Sequence, residues 1–112
     1  GRKPEKELIK PGGENVYPSE VEDVLAAHPA VAEVAVIGVP DEKWGESIQA
    51  VVVLRDGERP TRRLEKELVE LCTGRLASFK KPRKVVFLRQ DEMPRTGTGK
   101  VLHRVLRERL GE

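Results

Sequence analysis

The sequence predicts an α+β domain, with an N-terminal β-hairpin followed by a small central β-sheet flanked by helices. Two stretches rich in Val and Ile, 32–39 and 48–54, have the composition of strands. Apolar residues recur at three- and four-residue spacing after Pro18 and again from Leu64, as helices require. Pro- and Gly-containing segments punctuate the chain between these blocks, giving the order β-β-α-β-β-α-β-α. With 112 residues there is room for one domain, and the 38% hydrophobic content is enough for a real core despite 36% charged residues.

The elements follow in order. Leu8-Ile9 enters a turn at Pro11-Gly12-Gly13, and Glu14-Asn15-Val16-Tyr17 returns from it, which reads as a small hairpin. Pro18 or Ser19 opens a helix with Glu20, Glu22 and Asp23 near its positive end, Val21, Val24 and Leu25 on one side, and a stop at His28-Pro29. The two Val-rich strands are joined by Pro40 to Glu46, which is too long for a tight hairpin. After a turn at Arg55-Asp56-Gly57, Thr61 caps a helix expected through Arg75, with Leu64, Leu68, Leu71 and Leu76 at helical spacing. Lys84 to Leu88 reads as a short buried strand, and a last helix from Val101 to Leu110 carries Leu102, Val105, Leu106 and Leu110 on one face.

Charge is unevenly divided. Residues 1–56 hold six basic and eleven acidic side chains, a balance of −5, whereas residues 57–112 hold fifteen and eight, a balance of +7. A cationic half suits nucleic acid, an anionic lipid surface or a phosphorylated small molecule. Only four aromatic residues are present, which argues against a nucleic-acid surface built on stacking. Runs such as Val51 to Leu54 are far too short for a membrane span. Cys72 stands alone, so neither an internal disulfide nor a multi-cysteine zinc site is available, and a reducing, cytoplasmic compartment is expected. His28 and His103 have no partners at metal-ligand spacing, so no metal site is expected, and Cys72 reads as packing.

The segment with chemistry in it is Pro94-Arg95-Thr96-Gly97-Thr98-Gly99-Lys100. It lies between a predicted strand and a helix and ends in Gly-Lys, as a P-loop does, but Pro94 stands where that motif needs Gly and Val101 where it needs Ser or Thr. What remains is a tight, glycine-containing loop that presents one ammonium at its tip, suited to oxygens whose charge grows in a transition state.

Extended through Val101-Leu102-His103-Arg104, this segment resembles the proline-x-threonine-x-x-glycine-lysine-x-x-x-arginine signature of adenylate-forming enzymes. That superfamily comprises acyl-CoA synthetases, peptide-synthetase adenylation domains and firefly luciferase. The stretch from Glu7 to Glu22, with Lys10-Pro11-Gly12-Gly13-Glu14-Asn15-Val16-Tyr17-Pro18 at its centre, is similar to the segment after the interdomain hinge in the acyl-CoA ligase branch. Gly38-Val39-Pro40-Asp41 with Trp44-Gly45-Glu46, and then Phe79-Lys80-Lys81-Pro82, match in order and spacing, so the resemblance covers nearly the whole chain.

The resemblance implies that residues 1–112 are the mobile C-terminal lid of an AMP-forming acyl-CoA synthetase of fatty-acid type, and that its N-terminal domain, with the ATP loop and acid pocket, is not in this stretch. The reaction implied joins a carboxylic acid to ATP, with Mg2+, and then passes the acyl group to coenzyme A. Alone, such a lid is expected to be inactive. Lys100 matches the catalytic lysine of adenylation. Lys10, Gly12 and Gly13 match the pantetheine-channel face, Lys6 the hinge, and Arg2 an arginine near the nucleotide ribose. Trp44 and the Lys80-Lys81-Arg83-Lys84 cluster are candidates for coenzyme A contacts, although core packing for Trp44 and a solvated rim for the lysines are the expected readings. The implied partners are the chain's own N-terminal domain and a lysine acetyltransferase acting on Lys100. The competing readings are the lid of a peptide-synthetase-like adenylation domain and a stand-alone basic nucleic-acid-binding module.

Overall fold

A computed structural model describes residues 8–111. The first helix, α1 (Pro18–Ala26), begins where expected, because Pro18 occupies a position whose N–H a helix leaves unused and the Glu20 carboxylate accepts the Tyr17 N–H at 3.1 Å. Before it, the expected hairpin is reduced, among the described residues, to one antiparallel bridge between Ile9 and Val16, around a 3-10 turn at Pro11–Gly13. Too few residues lie between that turn and Pro18 for a longer ladder.

Two strands, β1 (Val31–Asp41) and β2 (Gly45–Leu54), pair antiparallel from Val31–Leu54 to Asp41–Gly45. The long loop expected at 40–46 is therefore a hairpin with a three-residue connection. Asp41 Oδ1 accepts the N–H groups of Lys43 at 2.8 Å and Trp44 at 2.9 Å, folding the turn on its own side chain, and Gly45 takes the left-handed φ of +80° that lets the chain return. Pro40 is tolerated inside β1 because that strand is at an edge of the sheet.

Helix α2 (Arg62–Leu71) starts at Thr61, whose Oγ1 accepts the Leu64 N–H at 3.1 Å. It ends at Leu71 rather than Arg75. The chain leaves the helix through Gly74 at φ +80°, and Thr73 and Leu76 form a bridge instead. Leucines at helical spacing thus overran the true end. Strand β3 (Lys84–Leu88) pairs parallel to β2 and completes the order β1-β2-β3. As an edge strand it has only Val85 fully buried, not the whole run expected. Helix α3 (His103–Leu110) closes the fold.

The sheet has two covered faces. Val36, Ile48, Ala50, Val52 and Val85 pack with Ile9, Val16, Val21, Leu25 and Leu68 beneath α1 and α2. On the opposite face Ala35, Ile37, Val51 and Val53 pack with Met93 and Leu106, joined by Val101 and Leu110. Each fully buried aliphatic side chain contributes about 1.5–3 kcal/mol, so each face holds its own layer. Cys72 is fully buried in the first core, as expected for packing, and burial pushes its thiol above the ordinary range. Among the described residues no helix is long and apolar enough to cross a membrane.

Candidate active-site loop and cleft

The Lys100 loop is a miniature hairpin. Arg95 and Val101 bridge antiparallel, the Thr96 N–H donates to the Lys100 carbonyl at 2.8 Å, and the Gly99 N–H donates to the Thr96 carbonyl at 2.9 Å. Thr96 Oγ1 accepts the Lys100 N–H at 3.1 Å and lies 2.9 Å from Thr98 Oγ1. Gly99 is required here by its φ of +90°, whereas Gly97 has no such requirement. The base of the loop is tied down. Arg95 makes a two-pronged, half-buried ion pair with Glu33 of β1, and these hydrogen bonds hold the Glu33 carboxyl below the usual carboxylate range. The Leu102 N–H donates to the Pro94 carbonyl at 2.9 Å. Lys100 itself is exposed at the tip.

The Pro11–Gly13 turn is built against the other end of the hairpin. The Gly12 N–H donates to the Trp44 carbonyl at 2.8 Å, and the Lys10 N–H donates to Glu46 Oε1 at 2.8 Å. A Cβ on Gly38 would lie 2.6 Å from Glu46 Oε2 and 2.9 Å from Ile9 Cγ2, so a side chain there would displace the Glu46 carboxylate that anchors Lys10. Gly12 has φ +59°, and a Cβ on it would meet the Trp44 ring at 3.2 Å. Trp44 is 42% exposed and Phe79 40%, which corrects the expectation of core packing for Trp44. Its own turn aims it outward, because the backbone from Asp41 to Gly45 is spent on the hairpin reversal.

Trp44 and Phe79 line one cleft of about 480 Å³ with Gly12, Glu46, Lys81 and Arg83. That volume is in the range of small-molecule sites. An ammonium lies over each ring, Lys43 Nζ 5.0 Å from the Trp44 centroid and Lys80 Nζ 5.7 Å from that of Phe79. The lysines are not a free rim: Lys80 Nζ pairs with Glu20 at 2.7 Å, and Lys81 Nζ donates to Thr73 Oγ1 at 3.0 Å. Gly12 enters the cleft wall, but Lys10 and Gly13 do not.

Loop and cleft belong to opposite faces of the sheet. Met93 and Val101, flanking Lys100, pack on the Ala35–Val51 face, and Ile9 and Val16, flanking the glycine turn, pack on the Val36–Ala50 face. Arg2 and Lys6 lie outside the described residues. Reading the sequence missed Phe79 as a cleft wall and Glu46 as the anchor of Lys10; an aromatic placed beside two lysines was the available signal for the first. His28 and His103 pair with Glu67 and Glu22 respectively. Among the described residues no three His, Cys, Asp or Glu side chains are grouped to hold a metal ion.

Comparison with known proteins gives this geometry a context. Residues 20–100 match the model of the AMP-binding enzyme C-terminal domain, ending on Lys100. The long-chain-fatty-acid–CoA ligase FadD13 of Mycobacterium tuberculosis is 52% identical over 103 residues, which are 92% of this chain and 19% of that protein. The fatty acid–[acyl-carrier-protein] ligase ScoC of Streptomyces coeruleorubidus is 47% identical over 94% of this chain and 19% of its own length. ATP-bound MatB from Rhodopseudomonas palustris superposes with a TM-score of 0.86 at 43% identity, over 96% of this chain and 20% of that one. This chain therefore spans about a fifth of the curated relatives it matches. With most of its length inside the matching model and its sheet and helices superposing on those of MatB, the chain belongs to the AMP-binding enzyme C-terminal domain family.

Proposed function

We propose that residues 1–112 are the C-terminal lid of an AMP-forming acid–thiol ligase that converts a carboxylic acid of fatty-acid type, ATP and coenzyme A into acyl-CoA, AMP and pyrophosphate through an acyl-adenylate. One observation carries the reading: one sheet holds an ammonium-tipped loop on one face and an aromatic, cationic cleft on the other. Two half-reactions need two different surfaces, and a lid that rotates between them supplies both.

In the adenylating arrangement Lys100 orients the attacking carboxylate and offsets charge on the phosphoryl oxygens. The Thr96 and Gly99 hydrogen bonds fix the loop beforehand, so little reorganisation is needed at the moment of reaction. After rotation about Lys6, the cleft receives coenzyme A. Trp44 and Phe79 offer π-faces to its base, Lys81 and Arg83 offer charge to its phosphates, and Gly12 in the cleft wall leaves room for the pantetheine arm. Lys10 and Gly13, on the same turn but outside the cleft, flank the approach of that arm in this reading. Arg2 approaches the ribose in this reading. ATP and the acid are held by the chain's own N-terminal domain. The described residues do not fit a magnesium site, and in this reading that ion is held by the N-terminal domain.

Lys100 stands exposed on its loop, a target for a lysine acetyltransferase that would remove its charge. A single buried thiol is in keeping with a cytoplasmic setting. Coenzyme A is favoured over a carrier protein as acceptor by the two rings in the cleft, which a base can stack on. A nucleic-acid module is disfavoured because Arg95 and Lys80 of the basic half are already paired with acids.

In the complete protein, Lys100→Ala is expected to slow adenylation, read by ATP–pyrophosphate exchange, on the order of 10²–10³-fold. Thioester formation from supplied acyl-adenylate is expected to persist, and Trp44→Ala with Phe79→Ala to show the opposite pattern. Equal loss of both half-reactions in Lys100→Ala refutes the assignment.

A further inference from the structure

Lys100 is anchored through the ends of its loop, and each end is held by a carboxylate. At the first end Arg95 grips Glu33 of β1 through both guanidinium nitrogens. At the other end, three residues after Lys100, His103 Nε2–H donates to Glu22 Oε2 at 2.8 Å. The same Glu22 oxygen accepts the Val36 N–H at 2.9 Å. Glu22 belongs to α1, on one face of the sheet, and His103 opens α3, on the other. The Glu22 carboxylate therefore reaches round the edge of β1, occupying an N–H that no strand among the described residues pairs and clasping the first turn of the helix that follows the loop.

These contacts differ in kind from the ordinary ion pairs of the surface. Side-chain exposures are 25% and 29% for Arg95–Glu33 and 18% and 22% for His103–Glu22, against 75% and 75% for Arg89–Asp91. Exposed pairs contribute almost nothing, whereas half-buried, forked or shared ones hold a geometry. Between the anchors the loop is a bonded unit from Thr96 to Lys100, so a small rotation at either anchor displaces the ammonium at the tip.

We propose that Glu22 and Glu33 are positioning residues for Lys100, a two-point clamp that sets where its ammonium stands in adenylation. The proposal rests on the ligase reading above, and it assigns the two acids of α1 and β1 to one half-reaction only. Misplacing a catalytic group by about 1 Å costs up to about 10²-fold in rate.

The test uses the complete protein and both half-reactions. Glu33→Gln and Glu22→Gln are expected to lower kcat for adenylation about 10- to 100-fold, with KM for ATP and acid within about twofold and thioester formation from supplied acyl-adenylate unchanged. The retained half-reaction reports that the variants fold. His103→Gln, whose amide can still donate to Glu22, should keep adenylation, and His103→Leu should lose it. His28→Leu serves as control: His28, two residues beyond α1, pairs with Glu67 of α2 away from the loop, so its loss should lower thermal stability without favouring either half-reaction. Unchanged adenylation in both glutamine variants, or an equal fall in the two half-reactions, overturns the clamp. Lys100→Ala measured alongside separates the two ideas. If it abolishes adenylation while the glutamine variants do not move, only the clamp fails; if it leaves adenylation intact, the ligase reading itself fails.

Discussion

Gly12 and Gly13 are adjacent and both left-handed, yet the structure predicts different consequences for the same substitution. Gly12 has φ +59° and Gly13 φ +86°, and an alanine in the left-handed region costs about 1–2 kcal/mol at either site. The surroundings then separate them. A Cβ on Gly12 meets Trp44 Cε3 at 3.2 Å and Cζ3 at 3.6 Å, while one on Gly13 has nothing within 4 Å. Trp44 is exposed and can tilt, so Gly12→Ala is accommodated by moving the ring that walls the cleft. Stacking of a base on an aromatic ring is worth about 1–3 kcal/mol, so losing half of it raises the KM for coenzyme A about two- to twelvefold. In the complete protein, Gly12→Ala should therefore raise that KM and leave ATP–pyrophosphate exchange unchanged. Gly13→Ala should cost at least as much stability, read by thermal unfolding, with little change in KM. If Gly13→Ala raises KM as much as Gly12→Ala does, steric control of Trp44 is the wrong explanation, and strain in the turn accounts for both.

Other perturbations act elsewhere in the domain. Gly38→Ala places a Cβ 2.6 Å from Glu46 Oε2 and 2.9 Å from Ile9 Cγ2, and overpacking of that kind costs about 1–3 kcal/mol; the Lys10 N–H should lose its partner, seen as faster amide exchange at Lys10. Thr61→Ala removes the cap of α2 and should cost about 0.5–2 kcal/mol in chemical denaturation, with Thr61→Ser largely restoring it. Because the native Glu33 carboxyl lies below its unfolded value, its contribution to stability is complete above the ordinary carboxylate range and is lost as pH falls through the lowered native value. The stability gap between the wild type and Glu33→Gln should accordingly close under acid and stay constant near neutrality. Cys72, buried and with its thiol pushed up, should react with iodoacetamide only through opening of the core, so that its labelling slows wherever stability rises.

Particular elements show how far a sequence can be read. Thr61 and Pro18 marked helix starts correctly because capping and the proline ring act within one turn of chain. The end of α2 is not legible from leucine spacing, which reports which side faces a core: Leu76 serves the same core from a bridge after Gly74, beyond the end of the helix. The hairpin at Asp41–Gly45 was hidden for a similar reason: Pro40 and a charged run imitate a loop, whereas the edge position of β1 and the Asp41 side chain make a compact turn of it.

Local and chemical features are written in the amino-acid order alone: the strand and helix blocks, the glycine-bounded Lys100 loop, and a set of ordered motifs sufficient to assign the family. Which of these features meet is settled by the folded chain. Trp44 and Phe79, 35 positions apart, share a cleft. Glu33 reaches Arg95 and Glu22 reaches His103, across 62 and 81 positions. The loop and the glycine turn were sent to opposite faces by the alternation of side chains along β1 and β2. Capping, turn chemistry and periodicity are encoded over a few residues, whereas the face a segment covers depends on strand register and on packing that no short stretch contains.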